Sequence, residues 1–96
     1  MMSTNVDWMS AAVYGRVQGV SFRYYTRREA HKLGIQGWVR NEPDGSVRVI
    51  AEGKKEKLEN LLAYVNHGPP GAFVQQVDVE WSVGPPKFKD FEIRWR

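Results

Sequence analysis

Apolar positions along the chain recur with two different periods, and the switches between them mark the elements. Residues 9–14 read as a strand that ends at Gly15, and residues 15–20 as a loop with a glycine near each end. Phe22, then Tyr25 or Thr26, Ala30 and Leu33 recur at helical spacing, while Arg27, Arg28, His31 and Lys32 fall elsewhere, so residues 22–33 form a helix. Ser21 stands at its N-cap position and Gly34 just past its end. Residues 35–41 and 46–52 are strands joined by the tight turn Pro43-Asp44-Gly45, with Val47, Val49 and Ala51 on one side. Leu58, Leu61, Leu62 and Val65 make 54–66 the clearest helix, which His67-Gly68-Pro69-Pro70-Gly71 stops. Val77, Val79, Trp81 and Val83 alternate in a fourth strand over 73–83. Gly84-Pro85-Pro86 breaks the chain, and Phe91, Ile93 and Trp95 alternate in a short terminal strand.

The order β-α-β-β-α-β-β predicts an α+β sandwich of ferredoxin-like topology: two helices on one face of a four- to five-stranded, mainly antiparallel sheet. In that arrangement the first two strands run the same way with the third between them. Their C-terminal ends then lie about 10 Å apart at one edge. The first helix begins at that edge too, so Gly15–Val20, Arg23 and Asn41 should converge. The terminal strand is placed beside the second. Residues 1–7 are expected to be a flexible N-terminal segment and 8–96 a single domain.

Composition agrees with a globular domain. A chain of 96 residues is one domain, and it can bury roughly two thirds of its unfolded surface. The absence of cysteine excludes a disulfide scaffold, a thiolate metal site and a cysteine nucleophile. No apolar run approaches the length of a membrane span. The first residues lack the basic and apolar regions of a signal peptide, which makes the cytoplasm the expected location. The net charge is +3, but residues 16–40 alone hold +5, from Arg16, Arg23, Arg27, Arg28, Lys32 and Arg40 against Glu29. A localised positive field suits an anionic partner.

Two features near the shared edge carry possible chemistry. Glycines bracketing a loop before a helix let main-chain N–H groups turn around an anion, and the helix start adds free donors and a positive dipole end. Arg23, in the first turn, offers a planar fork that matches two phosphate oxygens. Equally, such a loop can be a plain strand-to-helix turn with Arg23 in solvent. Asn41 can accept a hydrogen bond from a water and donate to another oxygen; it can also simply close the turn before Pro-Asp-Gly. A P-loop ending is absent, and His31 and His67 have no ligand spacing. Glu29 belongs on the polar face of its helix and Asp44 in the turn, so no acid–base pair lies near the loop. A reaction without a strong general acid favours a mixed carboxylic–phosphoric anhydride, whose leaving group has a conjugate acid of pKa about 4 and departs without a proton.

Val13-Tyr14-Gly15-Arg16-Val17-Gln18-Gly19-Val20-Ser21-Phe22-Arg23 resembles the first signature of the acylphosphatase family, and Gly37-Trp38-Val39-Arg40-Asn41 followed by Gly45-Ser46-Val47 and Gly53 resembles the second. The likeness runs from about Met9 to Trp95. It implies hydrolysis of acyl phosphates to a carboxylate and inorganic phosphate, with no metal and no organic cofactor. It places the family's phosphate-binding arginine on Arg23 and its water-positioning asparagine on Asn41. Its phosphate cradle falls on Gly15, Arg16, Val17, Gln18, Gly19 and Val20. Ser21 stands where some relatives carry cysteine. The partners expected are a small acyl phosphate and competing phosphate or sulfate, with no nucleic acid and no membrane, and the chain is expected to be a stand-alone monomer. Two rival readings are a nucleic-acid-binding module and a non-catalytic phosphate-binding or docking domain. The first lacks the stacking aromatics that an RNA-binding sheet needs on a central strand, since the third reads Val47-Arg48-Val49-Ile50-Ala51-Glu52.

Overall fold

The computed structural model describes residues 4–95. In chain order the elements are β1 (Val6–Arg16), α1 (Phe22–Leu33), β2 (Gln36–Asn41), β3 (Val47–Gly53), α2 (Lys55–His67), β4 (Phe73–Gly84) and β5 (Phe91–Arg94). The strands form one sheet in the order β4-β1-β3-β2-β5. Neighbours are antiparallel except β2 and β5, which run parallel. Because β1 and β2 both oppose β3, they run parallel to each other and end at the same edge. This is the expected ferredoxin-like arrangement, with the terminal strand where it was placed.

Both helices cover one face. Met9, Ala11 and Val13 of β1, Val39 of β2 and Val47, Val49 and Ala51 of β3 point into that layer and are buried. Phe22 and Ala30 of α1 and Leu58, Leu61 and Val65 of α2 meet them in one apolar cluster. Burying a side chain of the size of Phe22 contributes about 1.5–3 kcal/mol, and it fixes the first turn of α1 against the sheet. Thr26 is the buried residue of the middle turn, with Tyr25 only partly covered.

Both ends of β1 differ from expectation. β1 begins at Val6, which pairs with Gly84, so the segment expected to be flexible loses Val6 and Asp7 to the sheet; residues 1–3 lie outside the described residues. β1 also continues to Arg16, opposite Phe73. Main-chain pairing extends the strand past its alternating apolar stretch, and it leaves no hydrophobic signature. Ser21 does occupy the N-cap position, but in a left-handed conformation (φ 60°, ψ 26°) and with no side-chain cap bond. Gly34 ends α1 as expected, left-handed and with its N–H donated to the last turn.

The opposite sheet face is crossed by residues 85–90, which carry the chain from β4 to β5. Glu52, 2% exposed, pins this crossing: its carboxylate accepts the N–H groups of Lys87 and Phe88 at 2.7 and 3.1 Å. Phe88 packs on Trp8 with ring centroids 5.5 Å apart. The Gly37 N–H donates to the Asp90 carbonyl at 2.9 Å, which registers β5 on β2. Trp38 also lies on this face, under the guanidinium groups of Arg40 and Arg94, whereas Trp81 packs at the rim of the helix-side core.

Candidate active site

The end of β1 makes the first wall of the site. Pairing with β4 slips between Tyr14 and Gly15. Gly15 has φ 129°, and a Cβ there would run into the Phe73 carbonyl, so the bulge requires glycine. Gly15 and Arg16 are thus strand residues paired with β4, and the loop proper spans 17–21. Val17 is 1% exposed and roots this loop in the core. Gln18 Nε2 donates to the carbonyls of Glu42 and Ser46 at 2.8 and 2.9 Å, clamping the loop to the β2–β3 hairpin. Gly19 is left-handed (φ 76°) with open space where a Cβ would be. Ser21 follows, also left-handed, and the chain then turns into α1.

The Tyr25 N–H reaches back to the Ser21 carbonyl at 3.1 Å. The N–H groups before it have no acceptor within the helix. The first turn of α1 holds no acidic residue, whereas His31 and Lys32 complement its far end. The positive end of the helix dipole therefore faces the site uncompensated.

A cavity of about 350 Å³ opens between this turn and the sheet edge. Val17, Gly19, Ser21, Phe22, Arg23 and Tyr24 line one side; Asn41, Ile93 and Trp95 line the other. A hollow of about 230 Å³ shares Arg23, Asn41 and Trp95 with it and adds Arg94. Among the described residues no carboxylate or imidazole lines either space. Arg23 makes no ion pair among the described residues; its guanidinium carbon sits 4.1 Å from the centroid of the Trp95 ring.

Asn41 ends β2 on the same side as Gly37 and Val39, which face the helices. Its Oδ1 is buried and has no hydrogen-bond partner among the described residues. The turn is served instead by Asp44, whose carboxylate accepts the N–H and hydroxyl of Ser46 at 2.9 and 2.6 Å. Those bonds hold the Asp44 carboxyl below its ordinary pKa. Among the described residues the Asn41 side chain makes no hydrogen bond to that turn.

The structure brings together Arg23, Asn41, Val17 and Gly19 of the expected site. Gly15, Gln18 and Val20 do not line the cavity, and Arg16 lines a separate hollow with Phe73 and Gln75. Gln18 and Gly15 act as supports. The histidines lie elsewhere: His31 Nε2 is 3.0 Å from the Phe91 carbonyl and 3.3 Å from the Asp90 carboxylate, and His67 closes α2. Glu29 pairs with Lys32 on the outer face of α1 at 3.8 Å. Tyr24, Ile93 and Trp95 are cavity residues that the sequence reading missed. Ile93 and Trp95 enter through the β2–β5 register, for which a four-residue strand offers only its alternation.

No described helix is long and apolar enough to cross a membrane. The family model for acylphosphatase matches residues 9–93. An acylphosphatase of Salinibacter ruber is 52% identical over 86 residues, covering 90% of each chain. One from Thermococcus kodakarensis is 54% identical over 81 residues, 84% of this chain and 88% of that one. The crystal structure of acylphosphatase from Bacillus subtilis superposes with a TM-score of 0.89 at 36% identity, covering 92% of this chain and 98% of the other. With matches across nearly its whole length in both sequence and fold, the chain belongs to the acylphosphatase family, enzymes that hydrolyse acyl phosphates.

Proposed function

We propose that the chain hydrolyses small acyl phosphates by in-line attack of a water held at Asn41 on a phosphoryl group held by residues 17–21, the first turn of α1 and Arg23. The main-chain N–H groups and the helix dipole bind the phosphoryl oxygens, and the Arg23 fork takes two of them. The observation that carries this reading is the buried Asn41 Oδ1 without a partner, in the same cavity as Arg23. A buried acceptor calls for a donor, and a water O–H supplies it while leaving an oxygen lone pair for phosphorus. The P–O bond to the acyl group breaks as the new P–O bond forms. An acyl phosphate dianion and water give a carboxylate and dihydrogen phosphate, so atoms and charge balance without a protein acid. Catalysis rests on positioning and on charge stabilisation.

The reading uses no metal or cofactor and has inorganic phosphate and sulfate compete for the cradle. It has the chain act as a cytoplasmic monomer. Phosphate release from benzoyl phosphate, measured with and without EDTA, tests it; equal rates are expected. Loss of activity with EDTA, restored by a divalent cation, would overturn the scheme. An anion soaked into a crystal should contact the N–H groups of the loop, and an empty loop with the anion elsewhere would remove the cradle.

A further inference from the structure

We propose that Trp95 is a positioning residue for phosphate binding: its ring holds the face of the Arg23 guanidinium, so that the planar N–H fork is placed at the cavity and left free before substrate arrives. The proposal rests on the reading of Arg23 as the phosphate-binding arginine.

The placement begins with strand register. β5 runs parallel to β2, with Gly37 opposite Phe91 and Arg40 opposite Arg94. One step further, Asn41 and Trp95 come level. Phe91 and Ile93 pack against the helix-side core, so alternation turns Trp95 to that side as well. Trp95 thus borders the first turn of α1, where Arg23 projects, and it lines both hollows of the site. Trp95 is 72% exposed, and this is far more than a core anchor would show.

The kind of contact matters more than its strength. Arg40 and Arg94 each pair with a carboxylate, Glu42 at 2.9 Å and Glu92 at 3.1 Å. A carboxylate fills the donors of a guanidinium and cancels its charge. A ring whose centroid lies 4.1 Å from the guanidinium carbon attracts the charge through its π system and offers no acceptor oxygen to the N–H groups. Among the described residues Arg23 has the ring and no carboxylate. A long side chain is therefore held in place with its charge uncancelled and its donors not taken by a carboxylate.

Apparent affinity falls in proportion to the fraction of molecules in the binding-competent arrangement. Loss of an exposed cation–π pair should lower that fraction roughly two- to fivefold. Trp95→Leu keeps apolar bulk and removes the ring; Trp95→Phe restores one. The measurements are kcat and KM with benzoyl phosphate and with acetyl phosphate, and Ki for inorganic phosphate. In Trp95→Leu both KM values and the phosphate Ki should rise together, roughly two- to fivefold, with kcat and the unfolding midpoint held. Trp95→Phe should recover most of the loss. A rise confined to the KM for benzoyl phosphate, with Ki unchanged, would show that the ring serves the acyl group and would overturn the proposal. So would unchanged constants throughout, or a loss that follows a lower unfolding midpoint. Wild-type protein that hydrolyses benzoyl phosphate without competition by phosphate would sink the phosphate-site reading itself, and this proposal with it.

Discussion

Replacing Asn41 by alanine separates the two roles that this residue can have, because the structure gives them opposite signatures. The Oδ1 atom is buried with no hydrogen-bond partner, and the turn beside it is closed by Asp44 and Ser46. Truncation therefore breaks no side-chain bond that the fold depends on. A buried polar group left unpaired costs about 1–3 kcal/mol when dry, and much less when a water fills the gap. Asn41→Ala should accordingly leave stability unchanged or raise it by up to about 1 kcal/mol, or about 4–8 °C in Tm for a domain of this size. The chemistry should move the other way. Removing one preorganised polar group from a transition state lowers kcat by about 10²–10³, and a hundredfold loss is about 2.7 kcal/mol of barrier. Phosphate affinity should hardly change, since the loop and Arg23 carry it. Thermal unfolding, phosphate release from benzoyl phosphate and the Ki of inorganic phosphate measure the three quantities. A folded Asn41→Ala protein with kcat within threefold of wild type and a Tm lower by several degrees would refute the water-positioning role and restore Asn41 to the turn.

The other expectations are more local. Arg23→Lys keeps a cation but loses the fork, so kcat/KM should fall at least about tenfold, with Tm within a few degrees because Arg23 makes no ion pair among the described residues; retention of most activity would falsify bidentate binding. Gly15→Ala forces a Cβ into the Phe73 carbonyl and should destabilise by more than about 2 kcal/mol in urea unfolding; a neutral effect would mean the bulge is not the constraint. Glu52→Ala leaves the Lys87 and Phe88 N–H groups without their shared acceptor, and a loss of about 2–4 kcal/mol is expected; less than 1 kcal/mol would show that the crossing segment is held by its aromatic contacts alone. Between about pH 5 and 8, kcat should be flat, since no carboxylate or imidazole lines the cavity among the described residues; a bell-shaped profile abolished by His31→Ala or His67→Ala would reveal a missed general base.

What was legible in the sequence follows from where each signal is written. α1 was read to the residue, because Phe22, Ala30 and Leu33 mark its face and Gly34 its end. The convergence of Arg23 and Asn41 was legible too, since parallel β1 and β2 end at one edge whatever the side chains. The two ends of β1 were not legible: residues 6–8 and 15–16 pair through the main chain, where composition is silent. Two supports of the site were hidden for another reason. Gln18 reaches the carbonyls of Glu42 and Ser46 across a long stretch of sequence, and Trp95 meets Arg23 only through the register of β5 on β2. Both partnerships are set by tertiary geometry, and a polar side chain in a loop looks the same whether or not it has found its acceptor. Ser21 carries the opposite lesson. Its residue type is that of an N-cap, but the path from Gly19 into α1 needs a left-handed backbone there, and geometry overrides the cap bond.

Among the described residues no carboxylate or imidazole lines the cavity, and this bears on the bond that the proposed scheme breaks. A phosphate monoester loses an alkoxide, which needs a proton donor or a Lewis acid to leave readily. In the proposed scheme the groups lining this cavity serve negative charge on phosphorus-bound oxygens: helix N–H groups, a guanidinium with no carboxylate partner among the described residues, and an amide beside them. They do nothing for a poor leaving group. An acyl phosphate matches them, because its carboxylate leaves as a stable anion and only the phosphoryl group needs to be held and attacked. Selection between esters and anhydrides then needs no pocket shaped to the acyl chain; it follows from the leaving group alone. The proposed scheme also gives a purpose to the constraints gathered on the path into one short loop: the bulge at Gly15, the Gln18 clamp and the left-handed pair Gly19 and Ser21.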